Sequence, residues 1–401
     1  MWNTVSPKQM GWKILHNMCS YCIQRHVSVR LCNRRIHIKH RCGGPIPDQT
    51  LTAGTLKDST PGPPWRILFL GTDDFAVESL KLLSTFRKSS DGVVESLEVV
   101  TLDNDVPVKR FAKENSLPVH TWPLGDLQGR FDVGVVVSFG CLLRETLIKQ
   151  FPYGILNVHP SLLPRWRGPA PVFHTILHGD TFTGVTVMQI RAKRFDVGPI
   201  LHQGFHQIPE NCTADQLGAA LAAQGAGLQL METLKNLPER ILHQREQDKE
   251  GATLAPKINS SMSWMVWEEQ TCAQIDRLYR AIGSRIPLRT IWMGKTVKLL
   301  DFVGTCNISL SGRGRKPVPG CISYQKELDT LAVCCKDGWV GFKAVILKKR
   351  LSATDFYNGY LHQSFQKRSS HQTEECLFLS NKNRTELQPI RENTSTQHTV
   401  H

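Results

Sequence analysis

At 401 residues the chain is too long for one ordinary domain and long enough for two or three. Its 40% hydrophobic and 21% charged residues exclude wholesale disorder, and no apolar run reaches the roughly 18 residues that a membrane helix needs. Forty-nine Lys and Arg against thirty-five Asp and Glu leave +14, a balance that points to a polyanionic partner or an import signal.

The charge is unevenly placed. Residues 1–64 hold nine basic and two acidic side chains, residues 65–258 hold twenty and twenty-one, and residues 259–401 hold twenty and twelve. In the first segment Lys8, Lys13, Arg25, Arg30, Arg34, Arg35, Lys39 and Arg41 all precede the first acid, Asp48. Arg-rich, acid-poor sequence without a continuous apolar stretch is the composition of a mitochondrial presequence. Residues 1–60 are therefore expected to be a targeting peptide and linker, with the mature protein in the mitochondrial matrix; a plain basic arm is the other reading. Cys19-x2-Cys22 lacks a second pair at zinc-ligand spacing, so no metal is expected there.

After the hinge Pro61-Gly62-Pro63-Pro64, the run Arg66–Gly71 predicts a buried strand, and Phe75, Leu80, Leu82 and Leu83 predict a following helix. The turn between them lacks G-x-G-x-x-G and would face a pyrophosphate with Asp73 and Asp74, which argues against a dinucleotide site. Apolar runs at 132–138, 154–158 and 184–190 predict further strands, and 213–234 predicts a long helix. Such runs separated by helix-length stretches imply a mostly parallel α/β sheet over residues 65–235, with helices on both faces. Residues 236–260 read as a polar linker. Short strands within 261–364 suggest a small basic β-barrel, and the polar stretch 365–401 suggests a disordered tail. Twelve cysteines in a chain of this length do not make a disulfide scaffold, and Cys334-Cys335 reads as a reduced strand pair.

The densest chemistry lies at Asn157-Val158-His159-Pro160, at the end of a predicted strand. Ligands bind open α/β sheets at the carboxyl ends of the strands. Residues two apart on an extended segment point to the same side. Asn offers an amide donor to an oxyanion, and His moves a proton near neutral pH. Asp196, ahead of a Gly-Pro turn, could cap that turn or orient a histidine.

The Asn-x-His pair, the following Ser161-Leu162-Leu163-Pro164 and the downstream Asp196-Val197-Gly198 resemble the 10-formyltetrahydrofolate-dependent formyltransferase family. Pro164-Arg165-Trp166-Arg167-Gly168-Pro169-Ala170-Pro171 and Gly184–Gln189 are similar to the members that act on methionyl-tRNA, and the resemblance spans about 65–360. It implies a Rossmann-like catalytic domain followed by an OB-like tRNA-binding domain. The implied reaction is formyl transfer from 10-formyltetrahydrofolate, without a metal, to the α-amino group of methionine on initiator tRNA. Asn157, His159 and Asp196 would be catalytic. Phe139 and Gly140, with Ser161, Leu162, Leu163 and Pro164, would hold the folate. Lys109, Arg110, Arg165 and Arg167, with Lys348, Lys349 and Arg350 of the second domain, would contact tRNA. A monomer is expected, with no DNA or membrane partner. The family's basic loop after the second strand corresponds here to residues 101–110, which are shortened and carry Asp103 and Asp105. A small-amine formyltransferase and a non-catalytic tRNA-binding protein remain the alternatives.

Overall fold

The structure is a computed structural model that describes residues 62–89, 92–308, 317–362 and 376–381. The expected presequence, the Arg313–Lys316 run and most of the tail lie outside the described residues.

Seven strands form the first sheet: β1 (Trp65–Gly71), β2 (Val94–Thr101), β3 (Val119–Thr121), β4 (Val133–Val137), β5 (Ile155–His159), β6 (Phe182–Gln189) and β7 (Ile200–Gln207). Their spatial order is β3-β2-β1-β4-β5-β6-β7. The first five are parallel, as the apolar runs require, and both faces are covered: one by helices, the other mainly by the irregular segments 122–131 and 141–151 with the one-turn helix Glu145–Ile148, which corrects the expectation of helices on both faces. In β1 only Arg66 departs from the buried pattern, and it forks onto Asp132 at 2.6 Å. β6 and β7 run antiparallel because the segment joining them, residues 190–199, is too short for a crossover. That short connection carries Asp196.

Local chemistry sets the helices. Asp73 caps helix α1 (Asp74–Arg87) by accepting from the Ala76 backbone N–H. The acid at the glycine turn is thus spent on the helix, and burial raises its pKa. Helix α2 (Pro107–Glu114) starts on a proline, and α3 (Pro171–His178) ends on Gly179 in the left-handed region. A Thr213/Gln216 capping box opens α4 (Ala214–Gln224). The expected helix over 213–234 then changes to a π-helical turn at Gly225–Leu230. A Cβ on Gly225 would lie 3.0 Å from Val158, so the glycine admits the close approach to the sheet.

The second sheet comprises β8 (Leu288–Trp292), β9 (Lys295–Thr305), β10 (Ile322–Gln325), β11 (Thr330–Cys334), β12 (Trp339–Ile346) and β13 (Arg350–Ser352). Its order is β10-β11-β12-β9-β8, all antiparallel, with β13 on β12. The barrel expectation is corrected here: among the described strands β8 and β10 do not pair, and the sheet stays open. β13 takes the edge of β12 that β11 leaves, so the chain spends its last strand beside β12. Helix α5 (Cys272–Ile282) packs on α3 of the first region, and one apolar cluster runs through both regions.

The tail also differs from expectation. Residues 376–381 are ordered: Leu379 exchanges backbone hydrogen bonds with Ile291 of β8, and Phe378 donates to Gly320 next to β10. The tail therefore spans the two edges that the strands leave unpaired. Phe378 is 1% exposed and its ring lies tilted beside Phe356, with centroids 6.1 Å apart. Gly320 has φ +87°, and a Cβ there would meet the Phe378 carbonyl at 2.1 Å. A polar flank with one aromatic hides this anchor from a composition reading. Phe378→Ala is expected to destabilise the second region by about 3–5 kcal/mol, read by denaturant unfolding; an unchanged midpoint would show that the tail does not dock.

Candidate active site

Asn157 and His159 are the third and last residues of β5, and Asp196 comes to them from the β6–β7 connection. The Asn157 Nδ2 donates to Asp196 Oδ1 at 3.1 Å. The His159 Nδ1 lies 3.7 Å from the same oxygen. The Gly168 backbone N–H donates to Oδ2 at 2.9 Å. His159 and Asp196 are both buried. The three residues that the sequence singled out are thus brought together, 39 positions apart between Asn157 and Asp196.

The other side of the imidazole fixes its tautomer. His159 Nε2 lies 3.0 Å from the Trp166 carbonyl, an acceptor only, so Nε2 carries a proton. A second proton can go only to Nδ1, facing Asp196. Trp166 itself is buried with φ +62°. Its indole Nε1 donates to Asp180 Oδ2 at 2.8 Å, and its backbone N–H donates to Thr253. Arg165 grips the same Asp180 with Nε and Nη2, at 2.9 and 2.7 Å, and lies 4.2 Å over the Trp166 ring. Arg165, expected as a phosphate contact, is instead committed to this clamp.

Arg167 is committed too. Its Nε and Nη2 donate to Gln247 Oε1 at 2.9 and 2.7 Å. Burial lowers the Arg167 pKa, and the nearby Arg194 charge acts in the same direction. Gln247 passes the bond on, with Nε2 donating to the carbonyls of Asp196 and Gly198. This supports Asp196 in the left-handed region, at φ +54°. A Cβ on Gly198 would sit 1.7 Å from the Gln189 carbonyl, so only glycine permits this turn. Gln247 lies in the stretch read as a linker. That stretch is part of the site's frame, since Thr253 and Ala255 also pair with the backbone around Arg167.

A cavity of about 360 Å³ opens beside the three residues. Ser138, Phe139 and Gly140, at the end of β4, form one wall, and Met188, Ile190 and Phe195 supply apolar surface. Gly140 has φ +74° with nothing within 4 Å of its Cβ position, which leaves its backbone open to a ligand edge. Ser161, Leu162, Leu163 and Pro164 do not line this cavity. Ser161 Oγ is used on the Arg165 carbonyl, the Leu163 N–H is used on Thr186, and the Leu163 side chain packs on Met188 and Ile200. These residues shape the turn behind His159. Cys141 borders the cavity, but burial raises its thiol pKa, so a thiolate nucleophile is not supplied at neutral pH.

The remaining predicted cations divide. Lys109 contacts Asp103, and Arg110 pairs with Asp105 at 2.9 Å, so the acids of the short loop neutralise its own bases. Arg350 pairs with Asp301 at 2.5 Å. Lys348 and Lys349 are exposed in the β12–β13 turn. At the cavity rim Arg191 is paired with Glu246, whereas Arg194 has no ion pair among the described residues.

An amide donor, an oriented imidazole and a buried carboxylate around an apolar pocket make a site for acyl-type group transfer. The sequence pattern of the Formyl transferase family matches residues 127–233, and that of the Formyl transferase C-terminal domain matches residues 257–361. The chain belongs to the formyl transferase family. Within it, the mitochondrial methionyl-tRNA formyltransferase of Homo sapiens is 54% identical over 325 residues, covering 79% of this chain and 83% of that one. The Mus musculus counterpart is 51% identical, covering 81% and 86%. A methionyl-tRNA formyltransferase of Magnetococcus marinus is 32% identical, covering 74% and 96%. The N-formyltransferase of Helicobacter canadensis, solved in complex with folinic acid and dTDP-3-aminofucose, shares the fold, with a TM-score of 0.51 at 18% identity over 71% of this chain and 99% of that one.

The Trp166 clamp generates a direct prediction. The His159 Nε2 proton is expected to exchange slowly with solvent. Asp180→Ala frees the indole and Arg165, and is expected to speed that exchange about tenfold, the worth of one hydrogen bond. Equal exchange in both proteins, followed by NMR, would show that Asp180 does not fix the imidazole.

Proposed function

We propose that the protein transfers the formyl group of 10-formyltetrahydrofolate to the α-amino group of methionyl-tRNA in the mitochondrial matrix, supplying formyl-methionyl-tRNA for translation initiation. The observation that carries this reading is the convergence of Asn157, His159 and Asp196 on one cavity. It is supported by relatives more than 50% identical that bear this name as mitochondrial enzymes.

The folate fits the cavity by its chemistry. A flat pterin with an amide-like edge suits the apolar wall of Phe139 beside the open backbone of Gly140. The methionyl amine attacks the formyl carbon as a free base. A C–N bond forms, negative charge develops on the formyl oxygen, and the bond to the folate nitrogen then breaks. Asn157 keeps one amide hydrogen on Asp196 and offers the other to the oxyanion. His159, charged through Nδ1, adds positive charge on the same side. Asp196 stabilises that imidazolium and assists passage of the amine's proton, through water, to the departing folate nitrogen.

The tRNA would be met by Lys348 and Lys349 and by Arg194 at the rim. Lys109, Arg110 and Arg350 would have to exchange an acid for a phosphate to join them. Arg165 and Arg167 have structural work instead. The protein acts as a monomer, without a DNA or membrane partner. A small amine in place of tRNA would leave the exposed basic turn of the second sheet without a role.

Asn157→Ala and His159→Ala are expected to fold normally and each to lose at least about 100-fold in turnover, since one oxyanion donor contributes roughly 3–4 kcal/mol. Full turnover in either would remove it from the mechanism. Joint replacement of Lys348 and Lys349 by Ala is expected to raise KM for tRNA, leave kcat near wild type, and reduce the slope of log affinity against log salt by about 2. An unchanged slope would place the tRNA elsewhere, and glycinamide ribonucleotide assayed in parallel separates the small-amine reading.

A further inference from the structure

A second group of ligand-type side chains lies in the second sheet. Cys272 is the first residue of α5, Cys335 follows β11, and Asp337 sits in the turn to β12. The two Sγ atoms are 3.4 Å apart, and Cys335 Sγ is 3.6 Å from Asp337 Oδ1. All three ligand atoms lie within 4.8 Å of one another.

These distances match a particular geometry. A tetrahedral zinc ion with bonds of about 2.3 Å to sulfur and 2.0 Å to oxygen has S–S edges of about 3.8 Å and S–O edges of about 3.5 Å. Two of the three edges already stand close to those values, the S–S edge within about 0.4 Å and the Cys335–Asp337 edge within about 0.1 Å. A disulfide would need the sulfurs at about 2.05 Å, a larger movement. The carboxylate is held in place, because Asp337 Oδ1 accepts from the Cys272 backbone N–H at 2.7 Å. Gly338 lets the turn come this close: a Cβ there would lie 2.9 Å from Cys272 Sγ. A cavity of about 450 Å³ opens beside the group, lined by Cys272, Asp337, Cys306 and Asn307 among others. It offers room for a fourth ligand, either water or the Cys306 thiol.

We propose that Cys272, Cys335 and Asp337 form a binding site for a thiophilic divalent cation of the zinc class, with its fourth position open to the cavity that Cys306 borders. The site is separate from the transfer chemistry. It clips the start of α5, the helix that packs on the first region, to the β11–β12 turn. Binding displaces the thiol protons to solvent and leaves the oxidation state of every partner unchanged.

The test uses the reduced full chain, stripped of metal with a chelator and titrated with zinc chloride against a chromogenic competitor. One zinc per chain and a raised melting temperature are expected. Cys272→Ser and Cys335→Ser should lose the uptake, whereas Cys321→Ser, in the neighbouring strand region, should keep it. Asp337→Asn can still accept from the Cys272 N–H, so it tests the ligand without removing the helix cap, and weaker zinc binding is expected. Cobalt substitution should give a thiolate-to-metal absorption band that disappears in Cys272→Ser. Absence of uptake by the wild type would overturn the proposal. So would equal uptake by Cys272→Ser, or ready oxidation of the pair to a disulfide in a chain that takes up no zinc when reduced.

Discussion

One buried carboxylate organises the first region. Asp196 presents one oxygen to Asn157 and His159 and the other to the Gly168 N–H. A charge taken out of water must be matched by donors or by opposite charge, or it costs several kcal/mol. Here the match comes from three residues on two other chain segments, β5 and the turn at Gly168, so satisfying the carboxylate also assembles the site. The left-handed backbone at Asp196 and the glycine at 198 are what let the β6–β7 connection reach it. The Arg167–Gln247 relay holds that strained turn from behind. The geometry of the site and the local stability of the turn therefore rest on the same contacts.

The imidazole is held by a second layer of the same kind. Asp180 collects an indole and a guanidinium and thereby fixes the Trp166 carbonyl on His159. The arginine-rich turn after the Asn-x-His pair thus serves orientation, with its charges balanced internally. Lys348 and Lys349 of the β12–β13 turn stay exposed and make no ion pair among the described residues, free for the proposed phosphate contact. This division lets a chain with so many bases keep a nearly neutral first region around the cavity.

Much of this was legible in the sequence because it is local. Apolar runs located β1, β4, β5 and β6, and the two-residue spacing of Asn157 and His159 showed that they share a side. The resemblance then supplied their roles and that of Asp196. What could not be read depends on long-range partners. Gln247 is one glutamine in a polar stretch, and Asp180 one acid after a helix; neither has a spacing that reveals its target. Arg165 and Arg167 looked like phosphate ligands because sequence shows charge but not its counter-charge. Ser161–Pro164 looked like pocket wall because their neighbours are. Phe378 was hidden in a polar tail, and the open sheet depends on pairings that alternation alone does not specify.

The central claim is that the Asp196 carboxylate does chemistry as well as holding the turn. Asp196→Asn keeps the size and can keep an acceptor for Asn157, while it removes the charge and gives up the acceptor for the Gly168 N–H. Single-turnover transfer of labelled formyl from 10-formyltetrahydrofolate to methionyl-tRNA should then fall by at least about 100-fold, with tRNA and folate binding unchanged. A near-normal transfer rate in Asp196→Asn would contradict the claim and reduce Asp196 to a structural cap.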